Sequence, residues 1–236
     1  MTMKLSIVVP CYNEAENIPK LIRAYAEVIT RNDIEIILIN NGSTDNTAAL
    51  LTEIAPQHSP WLHVVTVPVN EGYGFGILEG LRAAQGEFIG WTHGDLQTPP
   101  RDIITALSIL EANNYKQNLY IKGNRQGRPL FDSFFTGGMS IFESLYFGVK
   151  MYDINAQPNV FHKSFFATWS NPPHDFALDL YVFYMAIKAE LNIIRFPVQF
   201  PKRQHGTSKW NTGLASKWKF IKRTISFSKS LKHSLS

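Results

Sequence analysis

The 236-residue chain contains one cysteine, Cys11. That excludes an internal disulfide and any cysteine cage for zinc, and a lone thiol closing the apolar run "LSIVVPC" is expected to be a small buried residue at a strand end. Long apolar runs are missing too. None approaches the roughly 18 residues of a membrane-spanning helix, and the opening "MTMKLSIVVPCYNE" turns polar too early for a secretory leader. A cytoplasmic protein is the expectation. The third deficit is of acidic residues late in the chain: none follows Glu190, whereas ten of the 23 Lys and Arg do. The first 190 residues therefore carry 13 basic against 19 acidic groups, a balance of −6, although the whole chain is +4. A tail of one sign points to an anionic partner such as a phosphorylated substrate or a membrane surface, with a solvated basic face as the competing explanation. No nucleic-acid recognition motif accompanies it, so nucleic acid is not an expected partner.

What is present, at 44% hydrophobic residues, suffices for one sizeable core. The first half alternates strand and helix patterns. "LSIVVP" (5–10), "IEIILIN" (34–40) and "LHVVTVPV" (62–69) are continuous apolar runs, followed by "FIGWT" (88–92) and "LYIKG" (119–123). Between the first three lie helical spacings, Ile18, Leu21, Ile22, Tyr25 and then Ala48, Leu51, Ile54. Strands buried on both faces and separated by helices predict an α/β fold with a doubly wound, mostly parallel sheet. In the second half, "LFDSFFTGGMSIFESLYFGVKMY" (130–152) carries aromatic residues at roughly helical intervals, interrupted by Gly137-Gly138. Core packing explains such a stripe, and an amphipathic element at a membrane interface explains it as well.

Sheets of this kind bind ligands outside the carboxyl ends of their strands. The five loops there, "CYNEAEN", "NNGSTDNT", "NEGYGFG", "HGDLQTPP" and "GNRQGR", are all polar and are expected to converge on one crevice. "NEGYGFGILEGL" is not a dinucleotide fingerprint, because Ile77 occupies the place of the third glycine. Its glycines instead allow a close backbone approach to a ligand. "NNGSTDNT" supplies N-cap oxygens to a following helix. In "FIGWTHGDLQTPP", His93 and Asp95 at a strand end are compatible with a metal site, an acid/base pair or a polar turn.

Taken in order, "P-x-YNE", "NGSTD", "N-x-G-x-G", "D-L-Q-x-P-P" and "R-x-H-G-x-SKW" resemble the motifs of nucleotide-sugar-dependent glycosyltransferases with the Rossmann-like GT-A fold. The nearest likeness is to the branch containing dolichyl-phosphate mannose synthase and bacterial polyprenyl-phosphate glycosyltransferases, over residues 4 to about 210. The resemblance implies a metal-dependent, inverting hexosyltransferase that uses a nucleoside diphosphate sugar and a lipid-phosphate or saccharide acceptor. Residues 1–210 form the catalytic domain in this reading, with 1–128 binding donor and 129–210 binding acceptor, and residues 211–236 a basic amphipathic extension. Where the family has Asp-x-Asp-x-Gln, this chain has His93, Asp95 and Gln97, implied to hold Mg²⁺ or Mn²⁺, the latter accepting imidazole more readily. Pro10, Tyr12, Asn13 and Glu14 fall in the loop that wraps the nucleoside, with Asn41, Gly42, Ser43, Gly72, Gly74 and Gly94 also on the donor side. Asn41 replaces an aspartate that recognises the base. Arg125, Arg203 and Lys209 are implied around the diphosphate, where positive charge stabilises the leaving group. Arg128, Asp153, Gln157 and Asp179 are implied on the acceptor side. Asp175 and Asp179, four residues apart and expected on one helix face, offer a general base for a hydroxyl acceptor, which a phosphate acceptor does not need. Loss of aspartate at 41 and 93 keeps a second class open, a catalytically weakened nucleotide-sugar-binding module. In the tail, Trp218, Ile221 and Ile225 among Lys217, Lys222, Arg223 and Lys229 suit peripheral adsorption to anionic lipid at the inner face of the cell membrane.

Overall fold

A computed structural model describes residues 2–127, 130–199 and 214–234. Its elements run β1 (Leu5–Cys11), α1 (Ile18–Val28), β2 (Ile34–Asn41), α2 (Thr47–Ile54), a 3₁₀ turn (Ala55–His58), β3 (Leu62–Val67), α3 (Tyr73–Ala83), β4 (Phe88–Trp91), α4 (Arg101–Ala112), β5 (Leu119–Gln126), α5 (Leu130–Phe147), β6 (Asn159–His162), α6 (Lys163–Phe166), α7 (Leu178–Lys188), β7 (Asn192–Gln199) and α8 (Leu214–Ser234). The seven strands form one sheet in the order β3-β2-β1-β4-β6-β5-β7. β6 is antiparallel to both β4 and β5, and the remaining pairs are parallel. The expected doubly wound sheet is therefore observed. Two strands, β6 and β7, were not expected.

Alternation along β1 explains why helices are needed on both sides. Leu5, Ile7, Val9 and Cys11 point into one core with Leu21, Ile22 and Tyr25 of α1, Leu51 of α2 and Leu107 and Leu110 of α4. Val8 points into the other, with Ile77 and Leu81 of α3, Leu178 and Val182 of α7 and Leu231 of α8. Cys11 is buried and unpaired, as its sequence position predicts. β3 is the exception to two-sided burial, because it is the sheet edge and its middle residues are partly or fully exposed. Gly137 and Gly138 do not interrupt α5, which runs through them and ends before Gly148 at φ +67°. Ile141 and Leu145, four residues apart on α5, are exposed. α8 lies against α5, where Leu231 joins the core and Ser228 is fully buried.

Candidate active site

The loops after β1, β2, β3 and β4 lock together at the carboxyl ends of the strands. Asn13, at φ +56°, donates its backbone N–H to Ser43 Oγ (3.2 Å) and accepts the Thr44 N–H on its own Oδ1 (2.8 Å). The Glu14 N–H reaches Thr47 Oγ1 (2.9 Å), and Asp45 accepts the N–H groups of Ala15 (3.2 Å) and Thr47 (3.0 Å). Burial pushes the Asp45 carboxyl up, but the bonds from Thr47 and Ala15 outweigh it and hold it below its ordinary value. Glu14 accepts from Asn17 Nδ2 (2.5 Å), while Tyr12 projects outward. A Cβ on Gly42 would lie 2.3 Å from Asn70 N, and one on Gly94 would lie 3.0 Å from the Pro10 carbonyl. The first two loops thus preorganise each other, and the third and fourth press against them.

Asn41, expected to meet a base edge, is turned inward and only 3% exposed. Its Nδ2 donates to the Gly72 carbonyl (3.0 Å), and its Oδ1 is buried with no hydrogen-bond partner. An orphaned buried acceptor costs about 1–3 kcal/mol unless a donor supplied from outside meets it.

Gly72 and Gly74 require glycine for a reason other than the one the sequence suggested. Gly72 has φ +122°, and a Cβ there would stand 2.3 Å from the His174 carbonyl; at Gly74 it would meet the carbonyls of Pro173 (2.5 Å) and Asp175 (2.7 Å). The group that approaches is the chain's own 173–175 segment, and the Phe75 N–H donates to the His174 carbonyl (2.9 Å). The glycines dock the 173–175 loop onto α3.

After β4 the chain closes on itself. Thr92 Oγ1 donates to Thr98 Oγ1 (2.9 Å), and the Gln97 N–H donates to Asp95 Oδ1 (3.1 Å) across Leu96, which adopts φ +59°. His93 and Asp95 are half-buried at the loop surface, whereas Gln97 is buried. Among the described residues no three His, Cys, Asp or Glu side chains form a metal cage. One carboxylate, one imidazole and one amide suit an ion that takes its other ligands from substrate phosphates and water.

On the other side, Arg125 lies in β5 itself rather than in the loop after it, and it is taken up by Asp153. Its N–H donates to Oδ2 (2.9 Å) and its Nε to Oδ1 (2.8 Å), with Nη2 on the same oxygen. Burial pushes Asp153 up, but the hydrogen bond and charge of Arg125 hold it below the usual carboxylate range. A residue implied at the phosphates and one implied at the acceptor thus pair with each other. Arg195 of β7 braces them, donating to the carbonyls of Gly123 (2.6 Å) and Asp153 (3.3 Å).

Gln157 and Asp179 are sealed inside. Gln157 Nε2 donates to Asp179 Oδ1 (2.8 Å), and Asn159 Nδ2 donates to Asp179 Oδ1 (3.1 Å) and Gln157 Oε1 (2.6 Å). Asn159 Oδ1 accepts from Tyr120 Oη (2.6 Å) and Lys122 Nζ (2.7 Å). Burial pulls Lys122 down to about 7 against the attraction of Asp179, and burial pushes Asp179 up. The expectation that Asp175 and Asp179 share a helix face fails, because α7 begins only at Leu178. Asp175 stands before the helix, half-exposed, and its Oδ1 accepts the Ala177 N–H (2.9 Å). The expected residues Arg128, Arg203 and Lys209 lie outside the described residues.

Four groups of the site were not expected. They are Tyr73, Lys122, Asn159 and Arg195, of which Lys122 and Arg195 carried a signal: each is a lone cation in an apolar strand run, which must be paired if buried. Tyr73 stacks on Phe176 (centroids 4.4 Å apart, planes at 1°) and its ring lies 6.2 Å from that of His93.

The model of glycosyl transferase family 2 matches residues 6–169. The chain belongs to that family. Among family-2 relatives, the undecaprenyl-phosphate 4-deoxy-4-formamido-L-arabinose transferase of Yersinia enterocolitica is 40% identical over 113 residues, covering 46% of this chain and 34% of the relative. The enzyme of the same name from Sodalis glossinidius is 35% identical over 127 residues, covering 52% and 38%. This chain therefore spans little more than a third of the length of those relatives. Glucosyl-3-phosphoglycerate synthase from Mycobacterium tuberculosis, solved with Mn²⁺, UDP and glucosyl-3-phosphoglycerate, superposes with a TM-score of 0.69 at 15% identity, covering 95% of this chain and 79% of that one. S. aureus TarS 1-349 superposes with a TM-score of 0.57 at 18% identity, covering 85% and 59%. Both structural likenesses support the GT-A fold of family 2.

Proposed function

We propose that this family-2 domain transfers a sugar, with inversion, from a nucleoside diphosphate sugar to a polyprenyl phosphate. The observation that carries the reading is the interlocked surface formed by the loops after β1 to β4, with half-buried Asp95 in it. The two relatives named as undecaprenyl-phosphate transferases support the acceptor class. Pro10, Tyr12, Asn13 and Glu14 wrap the nucleoside in this reading, with Gly42, Ser43 and Gly94 shaping the floor. Asp95, Gln97 and His93 would hold Mg²⁺ or Mn²⁺, which supplies charge compensation to the diphosphate when bound. Asp95 orients the loop through Gln97, and Arg203 and Lys209 would neutralise the departing nucleotide. The acceptor oxygen attacks the anomeric carbon as the bond to the diphosphate breaks, so one displacement inverts the configuration. The basic residues of α8, Lys222, Lys229 and Lys232, would keep the protein at an anionic lipid surface.

A screen of UDP-, GDP- and dTDP-sugars with undecaprenyl phosphate in micelles, with Mg²⁺ and with Mn²⁺, tests the reading. Transfer with one donor is the expected result. Nucleotide binding that ignores metal, with neither transfer nor donor hydrolysis, supports instead a binding module, the reading favoured by Asn and His at positions 41 and 93.

A further inference from the structure

From Gly137 to Val149, the only charged side chain of α5 and its end is Glu143, and it is turned inward at 1% exposure. What remains outside is apolar. Ile141 is 63% and Leu145 79% exposed, one helical turn apart. At about 100° per residue, Phe142 and Tyr146 fill the arc between that pair and Glu143. Both are half-buried, and their rings stack (centroids 5.8 Å apart, planes at 16°). A helix facing water places charged residues on its outer side, and over these residues α5 places none there.

α8 runs beside that arc and supplies the missing charge. Lys232 Nζ lies 4.6 Å from the centre of the Tyr146 ring and donates to the Tyr146 carbonyl (2.7 Å), so a cation borders the apolar surface directly. Trp218, Lys222 and Lys229 are exposed on the side of α8 opposite buried Leu231, and Lys222 Nζ stands 5.6 Å from the Trp218 ring centre. No acidic residue of α8 offsets these lysines. The helix is fixed in this orientation: Ser228 is buried within 3.0 Å of both Glu143 oxygens, Leu231 is in the core, and Arg223 Nε lies 3.2 Å from Asp175 Oδ2. The two helices therefore present one surface, aliphatic and aromatic along α5 and cationic along α8.

We infer that this surface lies on an anionic lipid bilayer, with Ile141 and Leu145 entering the boundary of the acyl chains and Lys222, Lys229 and Lys232 among the headgroups. Charge selects the occupant. An anionic bilayer accepts an uncharged aliphatic strip and a row of lysines side by side. A second copy packed two-fold through the same face would bring its own lysines and no acidic residue of α8 to meet them. The inference extends the lipid-surface part of the proposed function: α5 supplies the apolar contact that the lysines of α8 alone do not, so apolar burial and electrostatic attraction act together.

The test is flotation of the full chain with vesicles of phosphatidylcholine alone and of phosphatidylcholine mixed with phosphatidylglycerol, with no sugar donor or acceptor present. The chain should float with the mixed vesicles and not with the neutral ones. Ile141→Ser and Leu145→Ser should each lower the partition coefficient about tenfold, the scale of withdrawing one aliphatic side chain from an apolar phase. Lys222→Gln and Lys229→Gln should each lower it about fivefold. All four side chains are exposed, so melting should not change. An environment-sensitive dye on Leu145→Cys should shift its emission to the blue on mixed vesicles, and the same dye on Glu53→Cys, on α2 across the sheet, should not; buried Cys11 does not compete for the label. Absence of flotation overturns the inference, as do equal flotation with neutral vesicles, unchanged flotation of the Ile141→Ser/Leu145→Ser variant, or equal shifts of the two dyes. A wild-type dimer in sedimentation equilibrium that the double serine variant dissolves also overturns it, because the face then belongs to a second copy. Flotation as expected, with no transfer to undecaprenyl phosphate from any donor, counts against the transferase reading alone.

Discussion

Glu143 ties the docking of α8 to pH. It lies on α5 at 1% exposure, with Ser228 Oγ 3.0 and 2.9 Å from its two oxygens, and the same hydroxyl is 2.8 Å from the Thr224 carbonyl. One hydroxyl proton cannot serve three acceptors. With Glu143 protonated the demand is met, since the carboxyl O–H donates to Ser228 Oγ and the Ser228 proton goes to the Thr224 carbonyl. Burial pushes Glu143 up from 4.5 to about 7, against the opposing effect of the Ser228 bond. Between those values the folded state holds a proton that the unfolded chain has released. Stability therefore falls as pH rises through this window, and the loss is complete above pH 7. At 1.36 kcal/mol per unit the loss is about 3 kcal/mol. Glu143→Gln keeps the shape and cannot ionise. Its melting temperature should match wild type at pH 5 and exceed it at pH 8 by roughly 6–12 °C for a domain of this size. Circular dichroism melts from pH 5 to 8 measure the difference. Parallel curves for the two proteins would refute the reasoning, because the pH dependence would then belong to other groups.

Asp95→Asn should lower turnover about 10²-fold or more, the scale of losing one preorganised electrostatic contact, with melting unchanged; steady-state rates alongside melts check it. Gly74→Ala drives a Cβ into the carbonyls of Pro173 and Asp175. It should destabilise by about 1–3 kcal/mol and raise the acceptor KM as the loop shifts, read by urea unfolding and kinetics. Asp153→Asn strands the largely buried guanidinium of Arg125 and should cost about 3 kcal/mol at pH 7. Because Arg125 holds Asp153 below the usual carboxylate range, its contribution is present above the unfolded value and lost as pH falls through the folded one. Urea midpoints of wild type and variant should therefore converge only at the acid end.

Five of the strands were legible in the sequence, β3 among them although it is a partly exposed sheet edge. β1, β2, β4 and β5 read as apolar runs because helices cover both sheet faces there, and their order fixes the carboxyl-end crevice. β6 was invisible because "NVFH" is four residues long and takes its place from antiparallel pairing with β4 and β5, contacts distant in sequence. The loops after β1 and β2 were legible as turn and cap chemistry: the bonds of Asn13, Ser43, Thr44 and Asp45 span only those two loops. The pairings of the later carboxylates and arginines were not, since sequence spacing carries no account of partners. Arg125 and Asp153 are 28 residues apart and form a pair, and Asp175 and Asp179 are four apart and face different surroundings. Helical spacing misled there because Pro172-Pro173 and the Asp175 turn delay the helix to Leu178.

The β4 loop and the segment before α7 meet at Tyr73. Its ring approaches His93 on one side and stacks on Phe176 on the other, and its hydroxyl accepts from Gln157 Nε2 at 3.4 Å. Gln157 in turn donates to Asp179, and Asn159 carries the network to Lys122 in β5. The Asn159 amide is oriented with its oxygen on the Lys122 cation side and its nitrogen on the Asp179 carboxylate side, so its dipole opposes neither group. A buried polar chain of this kind is stabilising only when every member is satisfied, which fixes the Gln157 side chain and with it the Tyr73 hydroxyl. The position of Tyr73 fixes Phe176, the residue after Asp175, and hence the place at which Arg223 arrives. His93 therefore stands beside an aromatic wall already held by Phe176, so its surroundings depend on residues distant in sequence.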